Sequence, residues 1–297
     1  MDIVDKYTHL DLGNVRYSLT GSDSDDLIVL MHGLTTSKDI YDDLTRYLVE
    51  SKYLVLALDF FGRGKSDSIQ PIDSEIVYAE QVVELIEKFI PFEMKKRIHL
   101  VGYSAGGAIA SRVAYMLDKK TTSLTLIAST GLPNCIRSSK ISEIMQEIYR
   151  KDAINQTKAE HFKEILFEDI NYIQNDAMRV RLEQMLNSEK FWSHDMIQTI
   201  RGHLKVTGGY VGKYSLDEIF EEIGNLKIPT LIMNGLNDKW IKPECGRIIN
   251  KAIKSSRLVE IEGASHWAFL EKPDIYLEEI IQFLSQTQET FKPLTVN

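Results

Sequence analysis

The chain is poor in several kinds of residue, and each shortage closes off a class of protein. Its 2 cysteines, Cys135 and Cys245, stand in no CxxC spacing and are far too sparse for a disulfide scaffold. With 7 prolines, no low-complexity tract and no internal repeat, it is neither a Pro-rich linker nor a solenoid. Lys and Arg, 35 in all, are outnumbered by 43 Asp and Glu, so the net charge of -8 leaves no basic footprint for nucleic acid or anionic lipid. No run approaches the roughly 18 apolar residues of a membrane span, which leaves no integral membrane segment. Met1-Asp2-Ile3-Val4-Asp5-Lys6 lacks the basic and apolar regions of a signal peptide. Together these absences set the expectation of a cytoplasmic protein with free thiols, able at most to associate peripherally with a membrane, and with no nucleic-acid partner.

What is present is ordinary globular material, 43% hydrophobic and 26% charged, in a length of 297 that suits one α/β unit carrying an insertion. Apolar runs without polar alternation recur at Asp26 to Met31, Tyr53 to Leu58, Ile98 to Val101, Leu124 to Ala128, Pro229 to Met233 and Arg257 to Ile261. Such runs suit strands buried on both faces of a parallel sheet. Helical spacing follows, as in Ile76, Ala79, Val83, Ile86 and Ile90 behind an Asp73 cap, and in Leu277, Ile280, Ile281 and Leu284 after Pro273. Strand then helix, repeated, predicts an α/β fold.

One region breaks this rhythm. Leu132 to Arg201 contains no Gly and Asn134 to Ile228 no Pro, while Ile141, Ile144, Met145 and Ile148, and Phe162, Ile165 and Leu166, keep helical intervals. This predicts a block of helices inserted between two strands, with Gly208, Gly209 and Gly212 as its return to the sheet. Taken singly, Met145, Phe167, Met178, Met185, Phe191, Trp192 and Met196 are packing residues; together they are suited to covering a site.

Two short motifs compete for the chemistry. Gly64-Lys65-Ser66 has the ending of a phosphate-binding loop, but the position five residues earlier is Asp59 rather than Gly, and Pro71 stands where the helix would run. The phosphate interpretation fails on both counts. Gly102-x-Ser104-x-Gly106 follows one expected strand and precedes the helical run Ala108 to Ala114, the context of a strained turn that exposes a nucleophilic Ser among small neighbours.

A Ser hydroxyl needs a base, and the base needs an orienting acid. Of 7 histidines, His266 alone lies just past a strand end and after the Ser; His9, His161, His194 and His203 lie away from strand ends, and His99 lies within a strand. Asp238, in the loop after Pro229 to Met233, is the candidate acid, since Glu260 and Glu262 belong to the strand leading into the His. The amide of Ala105, and that of Leu34 after the His32-Gly33 turn, are the candidate oxyanion donors. His32, Gly33, Gly102 and Gly106 serve as support.

His32-Gly33, Asp59-x-x-Gly62-x-Gly64-x-Ser66, Gly102-x-Ser104-x-Gly106, Asp238 and His266, in this order, resemble the α/β-hydrolase superfamily in its capped serine-hydrolase branch, which includes esterases, monoacylglycerol lipases, C–C bond hydrolases and perhydrolases. The resemblance implies an eight-stranded, mostly parallel sheet flanked by helices, with residues 1–131 and 225–297 as core and residues 132–224 as a helical cap. It implies a Ser104, His266, Asp238 triad that needs no metal and no organic cofactor. Ser rather than Asp in the elbow argues against dehalogenase or epoxide hydrolase chemistry. A cap rich in Met, Phe and Leu suits a small to medium, apolar carboxylic ester or monoacylglycerol, and no concentration of Arg or Lys beside the motifs suggests an anionic one. A C–C bond hydrolase or proline iminopeptidase uses the same triad, and a non-catalytic ligand receptor is the alternative of another class.

Overall fold

In the computed structural model, the apolar runs that lack alternation become strands with both faces covered, except Arg257 to Ile261, which forms a partly exposed strand at the edge of the sheet. The structure describes residues 2–22, 24, 26–69, 76–89, 96–132, 173, 175–187 and 217–290, with isolated positions between 143 and 171. Eight strands form one sheet: β1 (Lys6–Leu10), β2 (Gly13–Thr20), β3 (Asp26–Met31), β4 (Leu54–Leu58), β5 (Arg97–Tyr103), β6 (Thr121–Ile127), β7 (Thr230–Gly235) and β8 (Ser256–Ile261). Their order is β1-β2-β4-β3-β5-β6-β7-β8. From β4 to β8 neighbours run parallel, while β2 pairs antiparallel with both β1 and β4. Every residue of β3, β4 and β6 is buried, as expected of strands covered by helices on both faces.

The helices are α1 (Asp42–Glu50), α2 (Val77–Phe89), α3 (Ala105–Leu117), α4 (Asp176–Asn187), α5 (Asp217–Asn225), α6 (Pro243–Ala252) and α7 (Pro273–Thr290). None among the described residues is long and apolar enough to cross a membrane. Most of the expected cap lies outside the described residues, including Met145, Phe167, Phe191, Trp192, Met196 and the Gly208, Gly209, Gly212 return. So do the expected Asp73 cap and Cys135, whereas Cys245 is buried and forms no disulfide.

The β1–β2 hairpin is not legible in hydropathy, because β2 buries Arg16, Ser18 and Thr20 among its apolar residues. Arg16 explains the burial. Its guanidinium bonds Asp59 at 3.1 Å, Asp39 at 2.7 Å and Asp5 at 2.7 Å. Asp59, fully buried just past β4, also accepts the Lys38 amide at 2.8 Å and the Lys65 amide at 2.9 Å, and its carbonyl accepts the Ser66 hydroxyl at 2.8 Å. Gly64 has φ +53, and a Cβ there would overlap the Asp59 carboxylate. The Gly-Lys-Ser loop therefore wraps a carboxylate of its own chain in the way a phosphate loop wraps an anion, and fastens the segment after β4 to the loop after β3.

His32 completes this brace. The Phe60 amide donates to Nε2 at 3.1 Å, so the ring proton sits on Nδ1, which donates to the Gly33 carbonyl at 2.8 Å. Burial lowers the His32 pKa from 6.5 to about 3. Between those values the unfolded chain binds a proton that the native state refuses, so stability falls as pH drops through this window, by about 1.4 kcal/mol per pH unit for one group. His32→Asn, whose side chain does not titrate, is expected to lower stability near neutral pH by about 1–3 kcal/mol and to flatten the loss between about pH 6 and pH 4. Urea unfolding at stepped pH measures both effects; an acid slope equal to that of the parent would exclude His32 as its source.

Candidate active site

Six parallel strands end on one edge of the sheet, and the residues singled out by the motifs lie at this edge, on the loops that leave it or on the adjoining ends of β5 and α3. Register sets their spacing. Met31 pairs with Gly102, so the loop after β3 begins beside the turn from β5 to α3, and Tyr103 pairs with Ile127 on the other side. Carboxyl edges of parallel sheets are where α/β proteins gather ligand sites.

Ser104 stands between β5 and α3 at φ 54, ψ −119, a conformation that costs a non-Gly residue of order 1–3 kcal/mol. Hydrogen bonds hold it there. Its amide donates to the Ile127 carbonyl at 2.9 Å, and its carbonyl accepts the amides of Gly107 at 3.0 Å and Thr130 at 3.1 Å. Missing side chains help as well: a Cβ on Gly102 would strike the Gly106 carbonyl, and one on Gly106 would overlap the carbonyls of Met31 and His32. Helix α3 thus lies flush on β3 and β5, and Ser104 is turned outward at its N-terminal end.

Loops after β7 and β8 meet it. His266 Nε2 lies 3.2 Å from Ser104 Oγ, and His266 Nδ1 lies 2.8 Å from Asp238 Oδ2. The other oxygen of Asp238 accepts the amides of Trp240 at 2.7 Å and Ile241 at 2.8 Å, so the carboxylate cannot rotate without losing bonds. Because Oδ2 accepts, Nδ1 carries the proton, and the Nε2 lone pair faces the Ser104 hydroxyl. Trp240 stacks on the imidazole at 5.8 Å and 20°, and Tyr103 packs against it at 5.0 Å. Ser104 is 9% exposed and His266 6%, enough to meet a ligand but too little for bulk water to surround them.

The loop after β3 presents the Leu34 amide. Gly33 O belongs to the same planar peptide as Leu34 N–H and points the opposite way. It accepts His32 Nδ1 at 2.8 Å and Thr36 Oγ1 at 3.2 Å, while the buried Arg63 guanidinium donates to Leu34 O. Among the described residues neither the Leu34 nor the Ala105 amide donates to a backbone carbonyl outside regular elements. Ala105 opens α3, where amides have no intrahelical partner.

A cavity of about 270 Å³ adjoins this loop, lined by residues that include Arg63, Lys65, Ser37 and Met178, Leu182 and Met185 of α4, but not by Ser104, Asp238 or His266. The fold brings Arg16 and Arg181 to its lining beside Arg63 and Lys65 of one loop, a concentration of cations assembled from three parts of the chain. Carboxylates meet much of that charge: Asp42 lies 2.8 Å from Arg181 and Asp5 3.6 Å from Lys65. Burial lowers the Arg63 pKa to about 10.

A second set of the same residue types lies at the opposite edge of the sheet. His99 contacts Asp26 at 3.1 Å and Ser123 at 2.8 Å, with Arg97 also bound to Asp26. All three members are 4% exposed or less, so they join strands and meet no substrate. His194 and His203 lie outside the described residues. Among the described residues no group of three or more His, Cys, Asp or Glu is arranged to hold a metal ion. Tyr103, Trp240, Arg63, Ser265 and Glu271 support the site without having been singled out in the sequence, since none belongs to a spaced motif.

Residues 26–273 match the family description alpha/beta hydrolase fold. The chain is 28% identical over 290 residues to the proline iminopeptidase of Saccharolobus solfataricus, covering 91% of this chain and 87% of that protein. It is 25% identical over 270 residues to a 2-hydroxy-6-oxononadienedioate/2-hydroxy-6-oxononatrienedioate hydrolase of Escherichia coli, covering 88% of each. The crystal structure of a putative lipase from Acinetobacter baumannii superposes with a TM-score of 0.77 at 22% identity, covering 97% of this chain and 93% of that one. With its sheet order, its elbow and a family match over most of its length, the chain belongs to the alpha/beta hydrolase fold family.

Proposed function

We propose that this chain is a serine hydrolase that cleaves a small to medium, apolar carboxylic ester through an acyl-enzyme on Ser104. One observation carries this reading: the unbroken line from Ser104 Oγ through both nitrogens of His266 to Asp238, at 3.2 and 2.8 Å, beside two amides with no backbone acceptor among the described residues.

In this mechanism His266 Nε2 takes the hydroxyl proton as Ser104 Oγ attacks the ester carbonyl. Asp238 holds the ring in the Nδ1–H tautomer and stabilises the imidazolium. The Leu34 and Ala105 amides receive the oxyanion, each able to contribute a few kcal/mol in a site sheltered from water. Collapse of the tetrahedral species expels the alcohol, which takes its proton from His266. Water then attacks the acyl-enzyme with His266 again as base, releasing the acid and restoring Ser104. Residues 132–224 act as the cap, and their content of Met, Phe and Leu suits an apolar substituent, since thioether side chains repack around varied shapes.

The names of the two relatives support a second reading, in which the same groups act on an amide or a C–C bond. Ester, anilide and diketone substrates separate the two. An optimum among short to medium p-nitrophenyl acyl esters is expected. Turnover of proline p-nitroanilide or of a vinylogous 1,5-diketone, with none of any ester, would replace the ester assignment.

Ser104→Ala is expected to lower kcat by about 10⁴-fold or more and to abolish labelling by a fluorophosphonate probe. Full hydrolysis by that variant would remove Ser104 from the mechanism. Asp238→Asn keeps the shape but presents an amide that turns the imidazole to the wrong tautomer, for an expected loss of about 10⁴-fold in kcat. A loss below about tenfold would show that the carboxylate is dispensable.

A further inference from the structure

Behind His266 a second buried carboxylate closes the loop on itself. A helical turn, Ala268–Glu271, follows the His directly, with the amides of Leu270 and Glu271 both donating to the Trp267 carbonyl, at 2.7 and 3.0 Å. This turn swings the Glu271 side chain back to the residue that precedes the His. Glu271 Oε2 accepts the Ser265 amide at 3.0 Å, Oε1 accepts the Ser265 hydroxyl, and the same hydroxyl oxygen accepts the Trp267 amide at 3.2 Å. One carboxylate thereby holds both chain neighbours of His266.

The arrangement is costly to maintain. Glu271 is 6% exposed, and among the described residues no cation lies within ion-pair distance of it. A buried carboxylate without a cation persists only where N–H and O–H donors satisfy it, and bonds to a charged acceptor are the stronger kind. Inert packing would be met by a Leu at this position. The clamp acts at the one residue whose ring must keep two partners at once, within a few tenths of an ångström.

We infer that Glu271 is a positioning residue for His266: it fixes the backbone on both sides of the imidazole, so that Nε2 stays on Ser104 while Nδ1 stays on Asp238. The inference rests on the assignment of His266 as the base, and it goes beyond that assignment by adding a fourth residue that never touches substrate. Its signature is a loss in kcat that passes through His266.

The test uses the full chain with p-nitrophenyl butyrate, in the parent and in a His266→Ala background. Glu271→Ala is expected to lower kcat on the order of 10- to 100-fold with KM within about twofold, the scale of a misplaced catalytic group. Glu271→Gln, which keeps an acceptor for Ser265, is expected to recover most of the loss. In the His266→Ala background Glu271→Ala should change the residual rate by less than about twofold, because there is no ring left to position. Proton NMR of the His266 Nδ1–H resonance gives a readout that needs no turnover: broadening or loss in Glu271→Ala and return in Glu271→Gln are expected. An unchanged kcat and resonance in Glu271→Ala would overturn the inference, as would an equal loss in both backgrounds. Ester turnover that survives Ser104→Ala would instead overturn the hydrolytic assignment, and the resonance would still report on the clamp.

Discussion

The turn at Ser104 is the constraint around which the rest is arranged. A non-Gly residue at φ 54 persists only where its surroundings leave no relaxed alternative, and here three backbone hydrogen bonds and the flush packing of α3 on β3 and β5 supply that condition. The fully buried central strands provide the rigidity. The strain that turns the hydroxyl outward is sustained by the same tight packing of α3 on β3 and β5 that closes the core.

Two Ser, His, Asp sets in a single domain show that residue type alone does not make a site. Asp26, His99 and Ser123 hold the amino ends of their strands together, sealed from solvent, with Arg97 on the carboxylate. Ser104, His266 and Asp238 lie at the carboxyl ends of theirs, where Ser104 and His266 keep a small exposure to the surface. The difference lies in access and in backbone donors, and both follow from the direction of the strands.

Much of this was legible in the chain. Five strands with covered faces announce themselves by unbroken apolar runs, and β3 coincides with the expected Asp26 to Met31, whereas the sixth expected run forms the half-exposed edge strand β8. The helix after the elbow was likewise readable, because the small residues Gly102, Gly106 and Gly107 leave their trace in the local sequence. What hydropathy hid was paired polarity. Arg16 and Asp59 are charged residues buried together, so the β1–β2 hairpin they anchor left no apolar signature. Trp240 and Glu271 act across a turn, and Arg63 across the fold, so spacing along the chain carries no trace of their roles. The charged rim of the cavity beside Leu34 is assembled by tertiary structure alone.

Ser104 and His266 are separated by 162 residues, and between them the chain must lay down β6 and the final two strands before the imidazole can reach the hydroxyl. Closing so long a loop carries an entropic cost that local structure cannot offset, so this contact belongs to the late, non-local part of folding. A nascent or partly unfolded chain therefore carries Ser104 as an ordinary alcohol. The pairing of Ser104 with His266 is thus a property of the completed sheet, acquired only once β7 and β8 have joined β6.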